Sequence, residues 1–364
     1  MPHGTDPANV VRARATRPIR LLIVDDSAVA RAVFTRMVGD RPEFEIASTV
    51  PSAGAALAFL ASQSVDIILL DIEMPGQDGL SALPNLIIAS RGARVLIVSS
   101  SAEQGAAASI RALTLGAADT LAKPAASSFG GRFADVLTEK LLRIGHAPDP
   151  TVSAERIREQ SRSVRLRLLS NKRVACLAVG ASTGGLRALA DLLRGLPASF
   201  GAPILVTQHL PASFMSIFAG QVQEMSGRAT SVARTGMPLV RGRVLVAPGE
   251  GHLCVETDGG MPRVRITTER AESGCLPSVD PMLASVADVF GASGVGVVLS
   301  GMGRDGLRGA ERMAAAGADL LVQDRESSVV WGMPGAVATA GLASAMLPSF
   351  QIADLLARRD RAAA

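Results

Sequence analysis

Residues 177–186 read Leu177-Ala-Val-Gly-Ala-Ser-Thr-Gly-Gly-Leu186, and their pattern indicates how the second half of the chain folds. The apolar run 174–179 predicts a buried strand, and apolar residues at helical spacing over 186–196 predict a helix after a tight turn. Ser182 lies at the centre of that turn, in the pattern Gly180-x-Ser182-x-Gly184. Small neighbouring residues allow the sharp turn that exposes the serine hydroxyl at the carboxyl end of a strand. The free amides in the first turn of the next helix lie beside it, which is the arrangement that a serine nucleophile requires. A phosphate-binding loop or a plain glycine-rich turn would fit the same pattern.

Composition favours a protein with two globular domains. The chain has 364 residues, 48% of them hydrophobic, with a net charge of +4. Many arginines lie in the N-terminal tail and in one central segment, and a basic patch without aromatic residues has no stacking platform, so we expect no nucleic-acid binding. Three widely spaced cysteines, Cys176, Cys254 and Cys275, indicate neither a metal motif nor a disulfide framework.

The sequence also predicts a cytoplasmic protein without membrane insertion. No run of about 18 apolar residues is present, and the N-terminus has no hydrophobic signal core. We divide the chain into a disordered tail (1–18), a first domain (19–145), a linker (146–171) and a second domain (172–364). The arginine-rich linker is expected to serve as a connector with a docking segment.

The first domain alternates five predicted strands with five helices, which indicates an α/β doubly wound parallel sheet. Polar side chains come at four of the predicted strand ends: Asp25, Asp26, Asp71, Ser99 and Lys123. Carboxyl ends of parallel strands converge, and three carboxylates at one point repel each other unless a cation joins them. Oxygen-only ligands favour Mg²⁺, and a lysine with a hydroxyl suits a transferred phosphoryl group.

In this arrangement the first domain resembles the receiver (response regulatory) domain of two-component systems, which has a flavodoxin-like fold. The resemblance implies that Asp71 accepts the phosphoryl group and that Asp25, Asp26 and Asp71 hold Mg²⁺, with Asp26 a direct ligand. It also implies that Ser99 is the switch hydroxyl and that Lys123, which precedes Pro124, contacts the phosphoryl group. The strand-five position that often carries an aromatic residue is Thr120 here, which departs from the usual switch.

The second domain continues the alternation of strands and helices, with an irregular insert over 229–268. Its short β segments and the Asp258-Gly-Gly turn predict antiparallel hairpins. A last helical region is predicted from Pro334.

A serine nucleophile needs a base, and the base needs an orienting carboxylate. His209 follows a predicted strand directly, whereas His252 lies in a turn among hairpins, so we favour His209. Asp305 follows another strand in a glycine-rich loop and is the favoured carboxylate, although it could also cap a helix. Asp280 and Asp324 are the other candidates.

The order Ser, His, Asp differs from that of α/β-hydrolases, and the glycine spacing departs from a dinucleotide site. The second domain instead resembles the catalytic domain of chemoreceptor protein-glutamate methylesterases, which also deamidate receptor glutamines. The segments that carry the resemblance are Gly180-Ala-Ser-Thr-Gly-Gly185, Gln208-His-Leu-Pro211, Ala247-Pro-Gly249 with His252, Pro277-Ser-Val-Asp280, Gly301-Met-Gly-Arg-Asp-Gly306 and Gly332-Met-Pro334.

This resemblance implies a cytoplasmic serine hydrolase of chemotaxis adaptation, with Ser182, His209 and Asp305 as its triad. It implies backbone oxyanion donors at Thr183 and Met302, no cofactor for the esterase reaction, and an unphosphorylated receiver that covers the active site. The implied partners are methyl-accepting receptors as substrate and a chemotaxis histidine kinase as phosphodonor, and a monomer is expected. Two rivals remain open: a receiver-controlled binding regulator with an inactive hydrolase-like domain, and a DNA-binding response regulator.

Two further departures from the family pattern lie in the second domain. Basic residues are common before the Pro-Ser-Val-Asp segment, but the run here is Ser273-Gly-Cys-Leu276, and Gly335 stands where arginine often follows Gly-Met-Pro. Both positions are expected near the substrate groove.

Overall fold

The computed structural model of the chain describes residues 17–74, 79–99, 103–123, 131–145 and 164–362. Among the helices in these ranges, none combines the length and the apolar character needed to cross a membrane.

The first half forms a five-stranded, all-parallel sheet with strand order β2-β1-β3-β4-β5. Strand residues of β1, β3 and β4 are almost entirely buried, because helices cover both faces of a doubly wound sheet. This confirms the predicted flavodoxin-like fold. The elements are β1 (Ile19–Val24), α1 (Ala28–Gly39), β2 (Phe44–Val50), α2 (Ala53–Leu60), β3 (Ile67–Asp71), α3 (Gly79–Ala89), β4 (Arg94–Ser99), α4 (Glu103–Leu115), β5 (Asp119–Ala122) and α5 (Gly131–Gly145).

The second half forms a seven-stranded parallel sheet with strand order β14-β13-β12-β6-β7-β9-β8, together with a separate antiparallel hairpin, β10-β11. The strands are β6 (Cys176–Ala181), β7 (Ile204–Gln208), β8 (Thr230–Val232), β9 (Val244–Val246), β10 (His252–Asp258), β11 (Met261–Thr267), β12 (Gly294–Val298), β13 (Asp319–Gln323) and β14 (Ala345–Leu347). The helices are α6 (Gly185–Gly195), α7 (Met215–Ser226), α8 (Val279–Phe290), α9 (Leu307–Ala315), α10 (Met333–Thr339) and α11 (Ser349–Ala362), with short 3₁₀ turns at Ala212–Phe214 and Gly291–Ser293.

The structure corrects two expectations about this half. Only β10 and β11 form the predicted hairpin, whereas β8 and β9 pair in parallel and extend the main sheet beyond β7. The final region is also not one helical stretch. The helix α10 ends before Gly341, which adopts a positive φ of 71°, and β14 then pairs with β13 before α11 begins.

The segment that precedes the second sheet docks on it. The Arg167 guanidinium donates to the carbonyls of Ala314 and Ala318 at 3.2 and 2.9 Å, and the Arg167 amide donates to the carbonyl of Ala343. Buried Arg359 forms an ion pair with Asp319, whose carboxylate also accepts from the Ser170 amide. The part of the proposed linker from 164 onward is therefore a docked segment, while residues 146–163 lie outside the described ranges.

The two halves share one hydrophobic cluster. It includes Ile110 and Leu113 of α4 together with Leu186 and Leu189 of α6. A backbone hydrogen bond of 2.8 Å joins the Gly184 amide, at the start of α6, to the Ala118 carbonyl just before β5. The first half thus packs directly against the turn that follows β6.

Candidate active site

Ser182 lies one residue beyond β6, in a turn that leaves no room for larger side chains. A Cβ atom at Gly180 would lie 2.4 Å from a methyl group of Val279, and Gly184 adopts a positive φ of 73°. The Ser182 amide donates to the Ser300 carbonyl at 3.0 Å. These contacts fix the serine at the carboxyl edge of the seven-stranded sheet.

His209 follows β7, the strand beside β6, so its imidazole reaches Ser182. The distance from His209 Nδ1 to Ser182 Oγ is 3.1 Å, and that from His209 Nε2 to Asp305 Oδ2 is 2.7 Å. An ionised carboxylate only accepts hydrogen bonds, so Nε2 carries the proton and Nδ1 is left to accept from the serine hydroxyl. The three side chains therefore form a continuous serine–histidine–aspartate relay.

Asp305 is buried in the loop after β12 and is held by the start of α8. Its carboxylate accepts from Ser278 Oγ at 2.6 Å and from the Val279 amide at 2.8 Å, besides the His209 contact. Burial alone would raise the pKa of Asp305, but the hydrogen bond from His209, with those from Ser278 and Val279, outweighs burial and lowers it well below the usual value. The carboxylate therefore stays charged throughout the physiological pH range. It also caps α8, which combines the two roles considered from the sequence.

Asp280 is the neighbouring carboxyl group and has the opposite character. Burial raises the pKa of Asp280 to about 7, and the negative charge of Asp305 adds to this despite a 2.8 Å hydrogen bond from the Gly309 amide. Asp280 makes no hydrogen bond to His209 among the described residues. It braces the loop that carries Asp305 rather than orienting the imidazole.

The two remaining alternatives, His252 and Asp324, have structural roles. Buried His252 accepts from the Ser278 amide through Nδ1 at 2.8 Å, and its Nε2 lies 2.8 Å from the carbonyl of Glu269. Asp324 accepts from the amide and hydroxyl of Ser327. Among the described residues, His252 makes no hydrogen bond to Ser182 and Asp324 makes none to His209, which leaves His209 and Asp305 as the pair that the structure brings together with the serine.

Two further residues with free backbone amides line the cavity beside Ser182. Thr183 and Met302 line the same small cavity as Ser182 and His209, which has a volume of about 230 Å³. Within the described part of the chain, the amides of Thr183 and Met302 form no backbone hydrogen bond, so both can donate to a bound ligand.

A second polar cluster lies at the carboxyl edge of the five-stranded sheet. Lys123 Nζ contacts Asp25 Oδ2 at 3.0 Å and Asp71 Oδ2 at 2.6 Å, while Asp26 beside them is exposed. Burial raises the pKa of Asp25 although Lys123 opposes it, and the two carboxylates raise the pKa of Lys123 against the effect of its own burial. The positive charge of Lys123 thus stabilises the negative charge of two carboxylates that are buried away from water.

The donor set of this cluster fits a hard divalent cation. Carboxylate oxygens of Asp25, Asp26 and Asp71 lie within 4.8 Å of one another, and oxygen ligands of this kind are those that Mg²⁺ prefers. Ser99 is buried at the end of β4, and its hydroxyl lies 2.7 Å from that of Ser109. Pro124 and the serines at 100 and 101 lie outside the described residues.

Comparisons with known proteins identify the family of the chain. Residues 177–356 match the family model of the CheB methylesterase, and residues 21–128 match that of the response regulator receiver domain. A protein-glutamate methylesterase/protein-glutamine glutaminase from Caulobacter vibrioides is 41% identical over 359 residues, covering 95% of this chain and all of the relative. The chain belongs to this family of hydrolases.

Other methylesterase relatives support the same assignment. A Rhodospirillum centenum protein-glutamate methylesterase/protein-glutamine glutaminase of group 2 operon is 39% identical, covering 92% of each chain. The crystal structure of the Thermotoga maritima CheB methylesterase catalytic domain is 32% identical and covers 51% of this chain and 99% of its own, with a TM-score of 0.50.

In this methylesterase, side chains of the first half close the cavity over the serine. Asp119, Lys140 and Arg143 line the cavity together with Ser182 and His209. Asp119 Oδ2 accepts from Thr183 Oγ1 at 3.0 Å and from Lys140 Nζ at 2.7 Å. This role of Asp119 was not predicted from the sequence, where Asp119 is only the first residue of a strand.

Gln208 is another residue that sequence reasoning missed. Its Nε2 donates to the Ser182 carbonyl at 3.0 Å, and its Oε1 is buried with no partner among the described residues. The only available signal was its position beside His209 at the end of β7. Gln208 therefore braces the backbone of the nucleophile turn.

The departure at Gly335 has a clear packing reason. A Cβ atom there would lie 2.7 Å from the indole ring of Trp331. An arginine at this position would require the tryptophan to move, so the surface at this end of α10 differs from that of methylesterases with the arginine.

Proposed function

We propose that this protein hydrolyses γ-methyl esters of glutamate on chemoreceptors, releasing methanol, and deamidates receptor glutamines in chemotaxis adaptation. The observation that carries the proposal is the hydrogen-bonded relay from Ser182 through His209 to Asp305. The family assignment supports the substrate class, because its relatives carry the names methylesterase and glutaminase.

Each member of the relay has a defined chemical task. Ser182 Oγ attacks the γ-carbonyl while His209 Nδ1 takes its proton, and the same nitrogen then returns that proton to the departing methanol, or to ammonia with glutamine. Asp305 holds the proton on Nε2 and stabilises the imidazolium that forms. The amides of Thr183 and Met302 are placed to donate to the oxyanion. Water then attacks the acyl-enzyme by the same route and releases glutamate.

Control by the receiver is the second part of the proposal, with residues 19–145 as the receiver domain, 146–171 as the linker and 172–364 as the catalytic domain. Asp71 is the phosphoacceptor, and Asp25, Asp26 and Asp71 would hold Mg²⁺, which offsets the charge of the incoming phosphoryl group. Lys123 is placed to contact the new phosphoryl oxygens, and Ser99 to respond as the switch hydroxyl. A phosphoryl group on Asp71 competes for Lys123 and shifts the population away from the covered active site.

The partners follow from these chemistries. A methylated chemoreceptor is the substrate and a chemotaxis histidine kinase is the phosphodonor, both of which place the reaction in the cytoplasm. The side chains that line the cavity from the first half must withdraw before a receptor helix can reach Ser182.

The test is methanol release from methylated receptor membranes by the full-length chain. Ser182→Ala should abolish release, because no other hydroxyl contacts His209 Nδ1 in the described residues. Ser231→Ala, on strand β8 far from the relay, is the matched control and should keep it. Substantial release by Ser182→Ala would rule out the assigned nucleophile.

A further inference from the structure

Cys275 is a thiol that the proposed reaction does not use, yet it lies beside the relay. Ligand atoms of His209, Cys275 and Asp305 all lie within 4.8 Å of one another. Cys275 also lines both the cavity over Ser182 and a larger neighbouring cavity of about 550 Å³, which Asp305 lines as well. A soluble ion that enters either cavity therefore meets the thiol.

Hydrogen bonds connect the backbone of the Cys275 loop to the Asp305 carboxylate. The Cys275 amide donates to Ser273 Oγ at 3.3 Å, and that hydroxyl donates to Ser278 Oγ at 3.2 Å. Ser278 Oγ in turn donates to Asp305 Oδ1 at 2.6 Å. The loop that carries Cys275 is thus tied through two serines to the carboxylate of the relay.

The three side chains supply one sulfur, one nitrogen and one oxygen ligand. This set suits Zn²⁺, which binds thiolate, imidazole and carboxylate in tetrahedral geometry and often leaves a fourth position for water. Tetrahedral bonds of about 2.0–2.3 Å place ligand atoms about 3.5 Å apart. The observed spacing is at most 4.8 Å, so the three ligand atoms must approach one another by at most about 1.3 Å when the ion binds.

We propose that His209, Cys275 and Asp305 form an inhibitory site for Zn²⁺. The inhibition rests on the proposed esterase function, whereas the metal binding does not. On binding, the thiol releases its proton to solvent, and the imidazole, which stays neutral, carries its single proton on the nitrogen that does not bind the ion. Ser182 then has no free base, because each imidazole nitrogen holds either the proton or the metal.

In the part of the chain that the structure describes, no other cluster offers the same set of ligands. Cys176 and Cys254 are buried, and the carboxylate cluster of Asp25, Asp26 and Asp71 has no sulfur ligand. A signal that reports metal bound to thiolate therefore distinguishes the proposed site from the cation site of the receiver.

The test uses Co²⁺ as a spectroscopic probe on the full-length protein, with no phosphodonor present. A thiolate-to-cobalt charge-transfer band should appear in the wild type, be displaced by Zn²⁺, and be lost in both Cys275→Ser and Cys275→Ala. Cys254→Ala removes a thiol away from the site and should keep the band. Absence of the band in the wild type, or its survival in both Cys275 variants, would overturn the proposed site.

A second measurement tests the inhibition. Zn²⁺ should suppress methanol release by the wild type, and each variant is compared with its own rate without metal. The zinc concentration for half inhibition should rise at least about tenfold in Cys275→Ser, since even outer-shell changes cost about 10–100-fold in metal affinity. Equal zinc sensitivity in both proteins would contradict inhibition at this site. A protein that releases no methanol without metal would refute the esterase and leave the cobalt result standing.

Discussion

Replacement of Asp119 by alanine should release the catalytic serine from its cover. The Asp119 carboxylate accepts a hydrogen bond from Thr183 Oγ1 at 3.0 Å. This bond connects β5 directly to the turn that carries Ser182. Lys140 Nζ also contacts this carboxylate, at 2.7 Å; the side chain of Asp119 is 19% exposed and that of Lys140 is 26% exposed. Without Asp119, the Thr183 hydroxyl lacks this partner in the form in which the first half covers the active site. In the open form the same hydroxyl can hydrogen-bond to water.

The magnitude follows from the type of bond. Hydrogen bonds to charged groups contribute about 1.5–3 kcal/mol, and partial exposure favours the lower end of that range. A shift of about 1.5 kcal/mol toward the open form corresponds to roughly tenfold more open protein. We therefore expect Asp119→Ala to raise the rate of methanol release without phosphodonor about tenfold, and to change the stimulated rate much less.

The assay compares the ratio of basal to stimulated rates, because this ratio cancels any direct effect on the chemical step. Asp135→Ala is the control. Asp135 is an exposed carboxylate of the first half of the chain, and it pairs with Arg41 of that same half. Thr183→Val and the double variant Asp119→Ala/Thr183→Val complete a double-mutant cycle, in which the effects of the two changes on this ratio should not be additive. An unchanged ratio in Asp119→Ala, or full additivity in the cycle, would show that the hydrogen bond between Asp119 and Thr183 does not hold the active site closed.

Three further predictions follow from the same structure. Asp71→Asn should lose the rise in methanol release that a phosphodonor produces in the wild type, because the variant cannot form the acyl phosphate; a retained response would place the phosphoacceptor elsewhere. Gly180→Ala places a methyl group 2.4 Å from Val279 and should lower the free energy of unfolding by about 1–3 kcal/mol in urea titrations, whereas no loss would mean that α8 can shift. Burial raises the pKa of Asp280 to about 7 from an unfolded value of about 3.9, so its contribution to stability is complete below the unfolded value and disappears as pH rises through 7. The urea midpoint of the wild type should thus fall more between pH 5 and 8 than that of Asp280→Asn, and parallel pH profiles would contradict this.

The parallel sheets and the relay were predictable because they depend on local patterns. Buried apolar runs such as Ile19–Val24 and Asp319–Gln323 form strands of the two parallel sheets. Ser182 and His209 each follow a strand directly, and adjacent parallel strands bring their carboxyl ends together. Position after a strand was therefore enough to place the two side chains beside each other.

Other features depend on contacts that no local pattern encodes. The short strand Thr230–Val232 has the alternation of a hairpin, but its partner is the parallel strand Val244–Val246. The contact of Asp119 with Thr183 exists only because the two halves dock. Gly341 ends α10 and lets β14 form inside a stretch whose composition indicates helix. Pairing partners and docking surfaces are set by the tertiary structure, which overrides local propensity.

Methanol release from methylated receptor membranes, measured with and without acetyl phosphate and Mg²⁺, tests both the esterase and its control by the receiver. We expect a basal rate that depends on Ser182 and that rises with the phosphodonor only when Asp71 is present. Release that persists in Ser182→Ala, or no release by the wild type under either condition with a panel of receptors, would contradict it.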